Sequence, residues 1–233
     1  MSQVLKRKVL VVHERLCAAY GAPFPFFRDA DPLTELVGSL LSHRTKNADS
    51  GRALKGLERF SSWAEVMDAP VGVVQAAISA ATWPEQKAPR VQGALRYIQA
   101  ARGELSLDFL QNLPPAEAQV WLEQIPGVGP KTSAAVLLFS RLRMPALPVD
   151  SHHHRVAQRL GLIGSIGPGP AHARLRALLP KDWDAQTLYD HHEALMYHGQ
   201  RCCFYKNPAC ARCPVLRLCP WGQAQLSGGM LSS

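Results

Sequence analysis

A Gly-x-Gly turn followed by a lysine is the first feature of this sequence with the potential for chemistry. Residues 116–124 have a helical pattern, and Gly127, Val128 and Gly129 then allow a turn too tight for side chains at the two glycines. Pro130 suits the first turn of a following helix, where its missing N–H is no loss. We therefore predict a helix, a glycine hairpin and a second helix. The free backbone N–H groups of the hairpin and the dipole of the second helix would bind an anion, such as a phosphate of a nucleic-acid backbone. The alternative is a helix corner in which the glycines serve close packing alone.

Four cysteines near the end of the chain are spaced for binding a metal centre. Their spacing is C-x6-C-x2-C-x5-C, so four thiolates can converge within seventeen residues. Zinc also binds four cysteines, but usually as two C-x2-C pairs joined by a longer loop, and one such pair is present here. The wider spacing favours a [4Fe–4S] cluster over zinc, and the expected compartment argues against disulfides. Cys202 has no partner in this pattern. The predicted ligands are Cys203, Cys210, Cys213 and Cys219.

The composition is that of an ordinary globular protein with an excess of basic residues. The chain has 233 residues, of which 47% are hydrophobic and 19% are charged. Its 26 Lys and Arg against 18 Asp and Glu give a formal net charge of +8, which favours a polyanionic partner. No apolar run is long enough to cross a membrane, and the basic N-terminus lacks the apolar core of a signal peptide. We expect a cytoplasmic protein, nucleoid-associated if bacterial, whose cysteines are not disulfide-bonded.

Helical patterns follow one another along almost the whole chain. Short links separate them and no segment has a convincing strand alternation, so the predicted fold class is all-α. Asp31 is expected to cap a helix at Pro32, residues 82–85 are expected to break the helical pattern, and the tail from Ser227 is expected to be disordered. Besides the helix that follows the hairpin, the predicted helices cover residues 4–20, 33–41, 54–60, 62–67, 71–80, 87–101, 107–113, 116–124, 150–160, 171–179 and 185–198.

The hairpin, its lysine and a downstream aspartate together resemble a known motif. Pro126 precedes the hairpin, Lys131 follows it, and Val149-Asp150-Ser151-His152 comes farther along the chain. This combination resembles the helix-hairpin-helix and Gly/Pro-Asp motif of the DNA glycosylases. A lysine two residues after the second glycine is similar to the endonuclease III branch, and so is the cysteine spacing. The resemblance covers nearly the whole chain.

The resemblance implies two domains. A six-helix barrel domain with the helix-hairpin-helix would occupy residues 25–144. A helical iron–sulfur cluster domain formed by both chain ends would occupy residues 1–24 and 145–233, and DNA would run along the groove between the two. The implied cofactor is a [4Fe–4S] cluster, and the implied partner is double-stranded DNA containing damaged bases or abasic sites. We expect the protein to act as a monomer.

The resemblance also implies the roles of two catalytic residues. Lys131 corresponds to the family's nucleophile, whose neutral amine attacks C1′ of the damaged nucleotide, expels the base and forms a Schiff base that permits β-elimination. Burial and a helix N-terminus would both favour the neutral amine. Asp150 corresponds to the family's acid, which can take the lysine proton or stabilise positive charge on the sugar. From the residues alone, Lys131 would be a surface lysine and Asp150 a helix N-cap.

Five further residues are assigned to DNA contacts by the same resemblance. Glu123 matches a glutamate near the base pocket, with a solvated helix face as the alternative, and His152 matches a family position. Lys206, in the loop between the first two cysteine ligands, would meet phosphates or else be merely solvated. Arg44 stands where the family has a glutamine that fills the gap left by a flipped-out base. Trp83 stands where a leucine wedge is expected. The alternative is that Trp83 is a core residue and that Arg44 binds a phosphate.

Three consecutive histidines follow Asp150. Adjacent helical positions diverge by about 100°, so these side chains cannot chelate one ion together. We expect His153 and His154 to face the groove or the solvent. His191, His192 and His198 also match family positions, and we expect them to form structural hydrogen bonds.

These features predict an enzyme of base excision DNA repair. The expected activity is that of a bifunctional DNA N-glycosylase and AP lyase acting on damaged bases, in particular oxidised pyrimidines. Alternatives among enzymes are a glycosylase for another lesion and an enzyme that acts mainly on abasic sites. A non-catalytic DNA-structure-binding protein is the alternative from a different class, but such a protein would need neither Lys131 nor Asp150. The adenine-specific glycosylases related to this family carry the cluster but lack this lysine, so they match the sequence less well.

Overall fold

The computed structural model describes residues 3–27 and 29–228. Within these residues it contains α-helices, short 3₁₀ helices and no β-strand, which confirms the predicted all-α class. None of the described helices combines the length and the apolar character needed to cross a bilayer. The α-helices are α1 (Gln3–Tyr20), α2 (Pro32–Ser42), α3 (Asn47–Gly56), α4 (Trp63–Asp68), α5 (Val71–Ala77), α6 (Pro84–Arg102), α7 (Pro115–Leu122), α8 (Pro130–Phe139), α9 (Ser151–Arg159), α10 (Pro168–Arg176), α11 (Ala185–Arg201) and α12 (Pro220–Gly228). The 3₁₀ helices are Leu57–Arg59, Asp108–Asn112, Cys210–Arg212 and Leu216–Leu218.

The chain divides into two compact units. Arg28–Ala146 form one unit, which carries α2 to α8. Met1–Phe27 and Leu147–Ser233 form the other, which carries α1 and α9 to α12, so both chain ends belong to the same unit. The assignment of a barrel domain to residues 25–144 and of a cluster domain to the chain ends stays a prediction.

Helix α8 lies in the core of the unit Arg28–Ala146. Seven consecutive residues, from Ser133 to Phe139, are buried, as expected of a helix that is apolar on all sides. Helices α2 and α7 pack against it. The start of α2 is fixed as predicted, because the Asp31 carboxylate accepts the N–H groups of Leu33 and Thr34. A cap of this kind stabilises a helix by about 1 kcal/mol.

The other unit is built around the long helix α11. It packs against α1, whose side chains Val9, Val12 and Leu16 are fully buried, and against α9. A glycine permits the contact between α11 and α9, because a Cβ added at Gly199 would lie 2.7 Å from the Cβ of His152. The position of His152 therefore depends on the absence of a side chain at Gly199.

Prolines begin helices that we expected to begin later. Helix α6 begins at Pro84, inside residues 82–85, where a break was predicted, and α10 begins at Pro168 rather than at residue 171. Both prolines occupy the first helical turn, where a missing N–H is tolerated. Helix α12 was not predicted. It includes Ser227, so the expected disorder is wrong for residues 227–228, whereas residues 229–233 lie outside the described part of the chain.

Candidate functional site

The turn between α7 and α8 places one residue in the left-handed region. The N–H of Val128 donates to the carbonyl oxygen of Ile125 at 3.0 Å, with Pro126 and Gly127 between them. Gly127 has φ +86°, and a proline followed by a glycine of positive φ is the pattern of a type II turn. Gly129 has φ −117° and ψ −177°, an extended conformation that any residue adopts. The expectation that the turn geometry requires both glycines is therefore wrong, and Gly127 alone needs to be glycine for backbone reasons.

The turn leaves fewer N–H groups for an anion than predicted. Val128 uses its N–H inside the turn and its side chain is buried, so it has no donor left for the predicted DNA contact. Among the described residues, the N–H groups of Gly127 and Gly129 have no protein acceptor. A Cβ added at either glycine would meet no atom within 4 Å. The space in front of these two glycines is therefore open to a ligand.

A side-chain bridge fixes α7 against α8. The hydroxyl of Ser133 donates to Oε1 of Glu123 at 2.9 Å, and Nε2 of Gln119 donates to the same oxygen at 3.1 Å. Ser133 is fully buried on α8, whereas Glu123 is exposed at the end of α7. Glu123 is therefore more than a solvated residue, because it joins the two helices that carry the turn.

Lys131 stands at the second position of α8 and is half-buried. It lies near His43, which was not among the predicted site residues. Burial is the largest cause of a lowered pKa at His43. The further causes are four cations, in decreasing order Arg44, Lys87, Arg90 and Lys131. Folding thus brings Arg44 and Arg90, which are exposed, and the half-buried Lys131 around His43 in a positive patch of the kind that binds a phosphate backbone, whereas Lys87 is buried beneath it.

Arg44 and Trp83 are brought together beside this patch. Their φ angles are 51° and 55°, both in the left-handed region, which costs a residue with a side chain about 1–2 kcal/mol. Cζ of Arg44 lies 5.9 Å from the centroid of the Trp83 ring, within the range of a cation–π contact. Trp83 is 42% exposed, so it is not a core residue. Strained backbone of this kind persists where the surrounding structure fixes it, and it is frequent at functional sites.

Asp150 caps α9 and is ionised at neutral pH. Its Oδ1 accepts the N–H of His153 at 2.7 Å. Burial, the largest single influence, would raise the pKa of Asp150, but His192, the His153 N–H and the neighbouring histidine charges together lower that pKa below its ordinary value. The carboxylate can therefore accept a proton or stabilise a positive charge.

Glu193 is a second buried carboxyl, on α11. Burial is the largest cause that raises the pKa of Glu193, to about 7. A hydrogen bond with Tyr197 opposes the rise, and the charges of Asp150 and Asp190 add to it. Glu193 therefore titrates in the neutral range.

His153 is buried, and the expectation that it faces the groove or the solvent is wrong. Its side chain is 1% exposed, and its ring lies 5.3 Å from that of His191 and 6.3 Å from that of His192. The cause is the phase of α9. His153, Val156 and Ala157 have the spacing of one helical face, and this face packs inward.

His152 takes part in a network around Arg155. Nη2 of Arg155 contacts Nδ1 of His152 at 3.1 Å and donates to the Gly199 carbonyl at 2.8 Å. Nε of Arg155 donates to the carbonyl of Cys203 at 3.1 Å. His154 is half-buried, and its Nε2 lies 2.8 Å from a backbone carbonyl oxygen. Both histidines thus have structural contacts, and His152 is connected to the cysteine segment.

Five cysteines and a histidine line one cavity of the unit that contains the chain ends. The four predicted ligands are among them, and Cys202 is the fifth. Nε2 or Nδ1 of His198 and the sulfurs of Cys202 and Cys213 lie within 4.8 Å of one another. His198, expected to form structural hydrogen bonds, contacts the Tyr20 hydroxyl at 3.0 Å and also faces this cavity. None of the six cysteines, each within the described residues, forms a disulfide. The cavity is therefore a Cys/His site that can hold a metal.

The surroundings of the thiols fit metal-bound thiolates. The N–H of Gly222 donates to Sγ of Cys219 at 3.3 Å, and Nη1 of Arg159 donates to Sγ of Cys203 at 3.3 Å. The backbone approaches the sulfurs closely at Gly222, because a Cβ there would be in van der Waals contact with Sγ of Cys219 at 3.4 Å and with Sγ of Cys210 at 3.6 Å. Hydrogen bonds to the sulfurs and close backbone approach are the means by which a protein orients such ligands.

Arg159 also fixes the loop that contains Lys206. It donates to the carbonyl oxygens of Phe204 and Tyr205 at 2.6 and 3.0 Å, and its guanidinium lies 4.1 Å from the centroid of the Trp221 ring. Tyr205 and Lys206 are exposed. The loop is therefore held at its base and presents a lysine to the solvent, where it could contact a phosphate.

No protein-family model matches the chain. An endonuclease III of Thermotoga maritima is 29% identical over 194 residues, which are 82% of this chain and 84% of that protein. An endonuclease III of Synechocystis is 32% identical over 139 residues, 59% of this chain and 57% of that protein. A protein of Arabidopsis thaliana named as a DNA glycosylase is 29% identical over 192 residues, 82% of this chain and 64% of that protein. The chain thus spans less than two thirds of the latter two relatives.

The structure is also similar to solved structures of an endonuclease III and of a DNA glycosylase. A non-covalent endonuclease III–DNA complex superposes with a TM-score of 0.78 at 20% identity, over 95% of this chain and 98% of that one. A thermostable thymine-DNA glycosylase gives 0.71 at 20% identity, over 94% and 98%. The fold is the all-α helix-hairpin-helix fold of the DNA glycosylases. The sequence comparison shows a likeness to endonuclease III proteins at 29–32% identity, and the solved structures show the shared fold.

Proposed function

We propose that the protein is a bifunctional DNA glycosylase and AP lyase of base excision repair. Its substrate would be double-stranded DNA containing a damaged base or an abasic site. The observation that supports this most is the position of Lys131. It stands on the first turn of α8, after two glycines whose N–H groups have no protein acceptor among the described residues, and it contributes to the positive patch around His43. A backbone phosphate bound at the glycines would bring the neighbouring sugar within reach of the amine.

Lys131 acts as the nucleophile in this proposal. At pH 7 an ordinary lysine with a pKa of about 10.4 is neutral roughly once in two thousand molecules. A helix N-terminus and neighbouring cations both disfavour the charged form. The neutral amine attacks C1′, the glycosidic C–N bond breaks, and the base leaves with a proton. The C1′–O4′ bond then opens as O4′ takes up a proton, which leaves a Schiff base at C1′. The Schiff base makes the C2′ proton acidic, and its removal breaks the C3′–O bond and releases the 3′ phosphate.

Asp150 supplies the carboxylate. Because its pKa is lowered, it is available as a proton acceptor or as a counter-charge to positive charge that develops on the sugar. As an N-cap it is held by the first turn of α9, so its oxygen atoms are fixed before the substrate binds. Asp150→Asn should keep DNA binding and lose most base excision, since the amide retains the shape but not the charge.

Arg44 and Trp83 would contact the DNA where the damaged nucleotide leaves the base stack. A base leaves the stack at a cost of a few kcal/mol, and something has to occupy the gap. An indole can stack on neighbouring bases, which is worth about 1–3 kcal/mol per base. Arg44 can donate to the orphaned base, with a preference for guanine acceptors. We assign Trp83 to opening the stack and Arg44 to reading the opposite base.

We propose that the cysteine cavity holds a [4Fe–4S] cluster bound by Cys203, Cys210, Cys213 and Cys219. When bound, such a cluster supplies structural cross-linking here, because glycosidic cleavage and β-elimination transfer no net electrons. Arg159 and the backbone of the Lys206 loop would keep that loop in place for a phosphate contact. Anaerobically prepared protein should contain about four iron atoms per chain. Stoichiometric zinc without iron would overturn this assignment.

Oxidised pyrimidines are the proposed lesion class. The test is a panel of duplexes, each with one lesion, in which base release and strand nicking are scored separately. We expect release and nicking with an oxidised pyrimidine, and nicking alone with an abasic site. If the enzyme nicks abasic DNA but releases no base from any duplex, it acts mainly as an AP lyase. If no duplex is cleaved, the proposed function is wrong. Because the substrate is DNA, the protein would act in the compartment that contains it, which in a bacterium is the cytoplasm.

A further inference from the structure

Lys87 is a buried lysine that none of the proposed catalytic steps uses. It lies in the first turns of α6 with 2% of its surface exposed. Its Nζ donates to the carbonyl oxygens of Leu41 and His43 at 2.6 and 2.9 Å, and to the hydroxyl of Thr45 at 2.6 Å. All three protons of the ammonium group are therefore used, and all three acceptors belong to the end of α2 and the segment that follows it.

These acceptors explain why a lysine is tolerated in the interior. The last carbonyl groups of a helix have no partner inside the helix and carry the negative end of its dipole. Lys87, from α6, supplies the missing donors to the end of α2 (Pro32–Ser42). Burial is the largest cause of a lowered pKa at Lys87, and the nearby Arg90 lowers it further. The three acceptors offset this penalty and keep the charged form in place.

The same lysine is connected to Trp83 through the backbone. The carbonyl oxygen of Trp83 accepts the N–H of Lys87 at 3.1 Å. In addition, the hydroxyl of Thr45, which accepts from Lys87, also accepts the N–H of Thr82 at 3.1 Å. One lysine and one threonine hydroxyl thus join the segment that carries Arg44 to the segment that carries Trp83.

We propose that Lys87 and Thr45 are positioning residues that hold Arg44 and Trp83 as one rigid unit for insertion into paired DNA. This inference rests on the proposed function and extends it to residues that do not touch the substrate. It follows from the contacts, because Arg44 and Trp83 both have left-handed backbone and lie within cation–π range of each other. Two strained segments keep such conformations when their surroundings fix them.

The expected consequence is specific to paired substrates. An inserted side chain that is already ordered loses less entropy on binding than one that is mobile, so the joined segments lower the cost of opening the stack. A single-stranded substrate has no stack to open in this way. Loss of the connection should therefore slow the reaction on paired DNA and leave the reaction on single-stranded DNA almost unchanged.

The test compares Thr45→Val, which removes the shared hydroxyl, with Thr45→Ser, which keeps it. Lys87→Met removes the ammonium at similar length, and Lys55→Met removes an exposed lysine charge on α3 as the control for net charge. Single-turnover rates are measured on a duplex with one oxidised pyrimidine and on a single-stranded oligonucleotide with an abasic site. Lys87→Met leaves buried carbonyl groups without donors and can prevent folding. If Lys87→Met is unfolded, Thr45→Val alone decides the test.

Thr45→Val and Lys87→Met should lower the ratio of the paired rate to the single-stranded rate by about tenfold, equivalent to about 1.4 kcal/mol. Thr45→Ser and Lys55→Met should keep the wild-type ratio. Adding Thr45→Val to Trp83→Ala should cause little further loss, because the joined unit is already disabled. Equal losses on both substrates, or losses that add to that of Trp83→Ala, would overturn the inference. If the wild-type protein cleaves neither substrate, the proposed function fails instead.

Discussion

Gly127→Ala and Gly129→Ala form a matched pair, because each adds one methyl group beside Val128. Gly127 has φ +86°, a conformation that costs a residue with a side chain about 1–2 kcal/mol. Gly129 has ordinary extended backbone, and its added Cβ would meet no atom within 4 Å. Gly129→Ala restricts the unfolded chain, which stabilises the folded state by about 0.4–1 kcal/mol. Glycine is preferred over alanine at an N-cap, so the same substitution also destabilises the folded state by a similar free energy.

The two variants should therefore separate stability from binding. A change of 1 kcal/mol shifts the Tm of a domain of 150–250 residues by about 2–4 °C, so Gly127→Ala should lower the Tm by about 2–8 °C. Gly129→Ala should leave the Tm within about 2 °C of the wild type, because its two effects oppose each other. Its methyl group nevertheless occupies the open space where a phosphate would approach. Loss of one hydrogen bond to a charged group costs about 1.5–3 kcal/mol, which weakens DNA binding about tenfold or more.

Thermal melting and fluorescence anisotropy with a labelled abasic-site duplex measure the two effects. The salt concentration has to be the same throughout, because contacts with phosphates weaken steeply as salt rises. Gly129→Ala should melt like the wild type and bind more weakly. If Gly129→Ala is destabilised as much as Gly127→Ala, the account of the turn is wrong. If Gly129→Ala binds DNA with wild-type affinity, the phosphate is not held at this turn.

Two further predictions concern the nucleotide gap and the pH dependence of stability. Trp83→Ala should lower excision from paired duplex far more than cleavage of single-stranded abasic DNA, and Arg44→Ala should flatten any preference for guanine opposite the lesion. A large drop in Tm for Trp83→Ala, or equal losses on all substrates, would contradict both assignments. Since the pKa of Glu193 is raised from its ordinary value of 4.5 to about 7, its stabilising effect is present below pH 4.5 and lost as the pH rises through 7. Glu193→Gln cannot ionise, so the stability of the wild type relative to this variant should fall by about 3 kcal/mol as the pH rises from 4.5 to 8; parallel Tm profiles of the two proteins over this range would refute the assignment.

Local signals in the sequence predicted the features that depend on neighbouring residues. Asp31 caps α2 and Pro130 begins α8, as their types and positions indicated. The C-x2-C pair and its two flanking cysteines line one cavity, because all four lie close together in the chain. Gly127 has the positive φ that a tight turn requires.

Features that depend on packing between distant residues were missed. His153 is buried because the phase of α9 turns it toward α11, and a polar side chain gives no signal of that in the sequence. Thr45 and Lys87 meet across 42 residues, and a lysine in a helix reads as exposed until its acceptors are known. The link between Glu123 and Ser133 likewise appears once α7 and α8 are packed. Such contacts are fixed by the folded core and not by local pattern.

Borohydride trapping on an abasic-site duplex tests the central claim most directly. Borohydride reduces a Schiff base to a stable amine, so an enzyme that forms one with C1′ becomes covalently attached to the DNA. We predict a trapped complex whose DNA is attached to the peptide containing Lys131, as identified by mass spectrometry. Lys131→Ala should abolish the complex and Lys55→Ala should not. Trapping of Lys131→Ala at the wild-type level, or no trapping of the wild-type protein at all, would contradict the account.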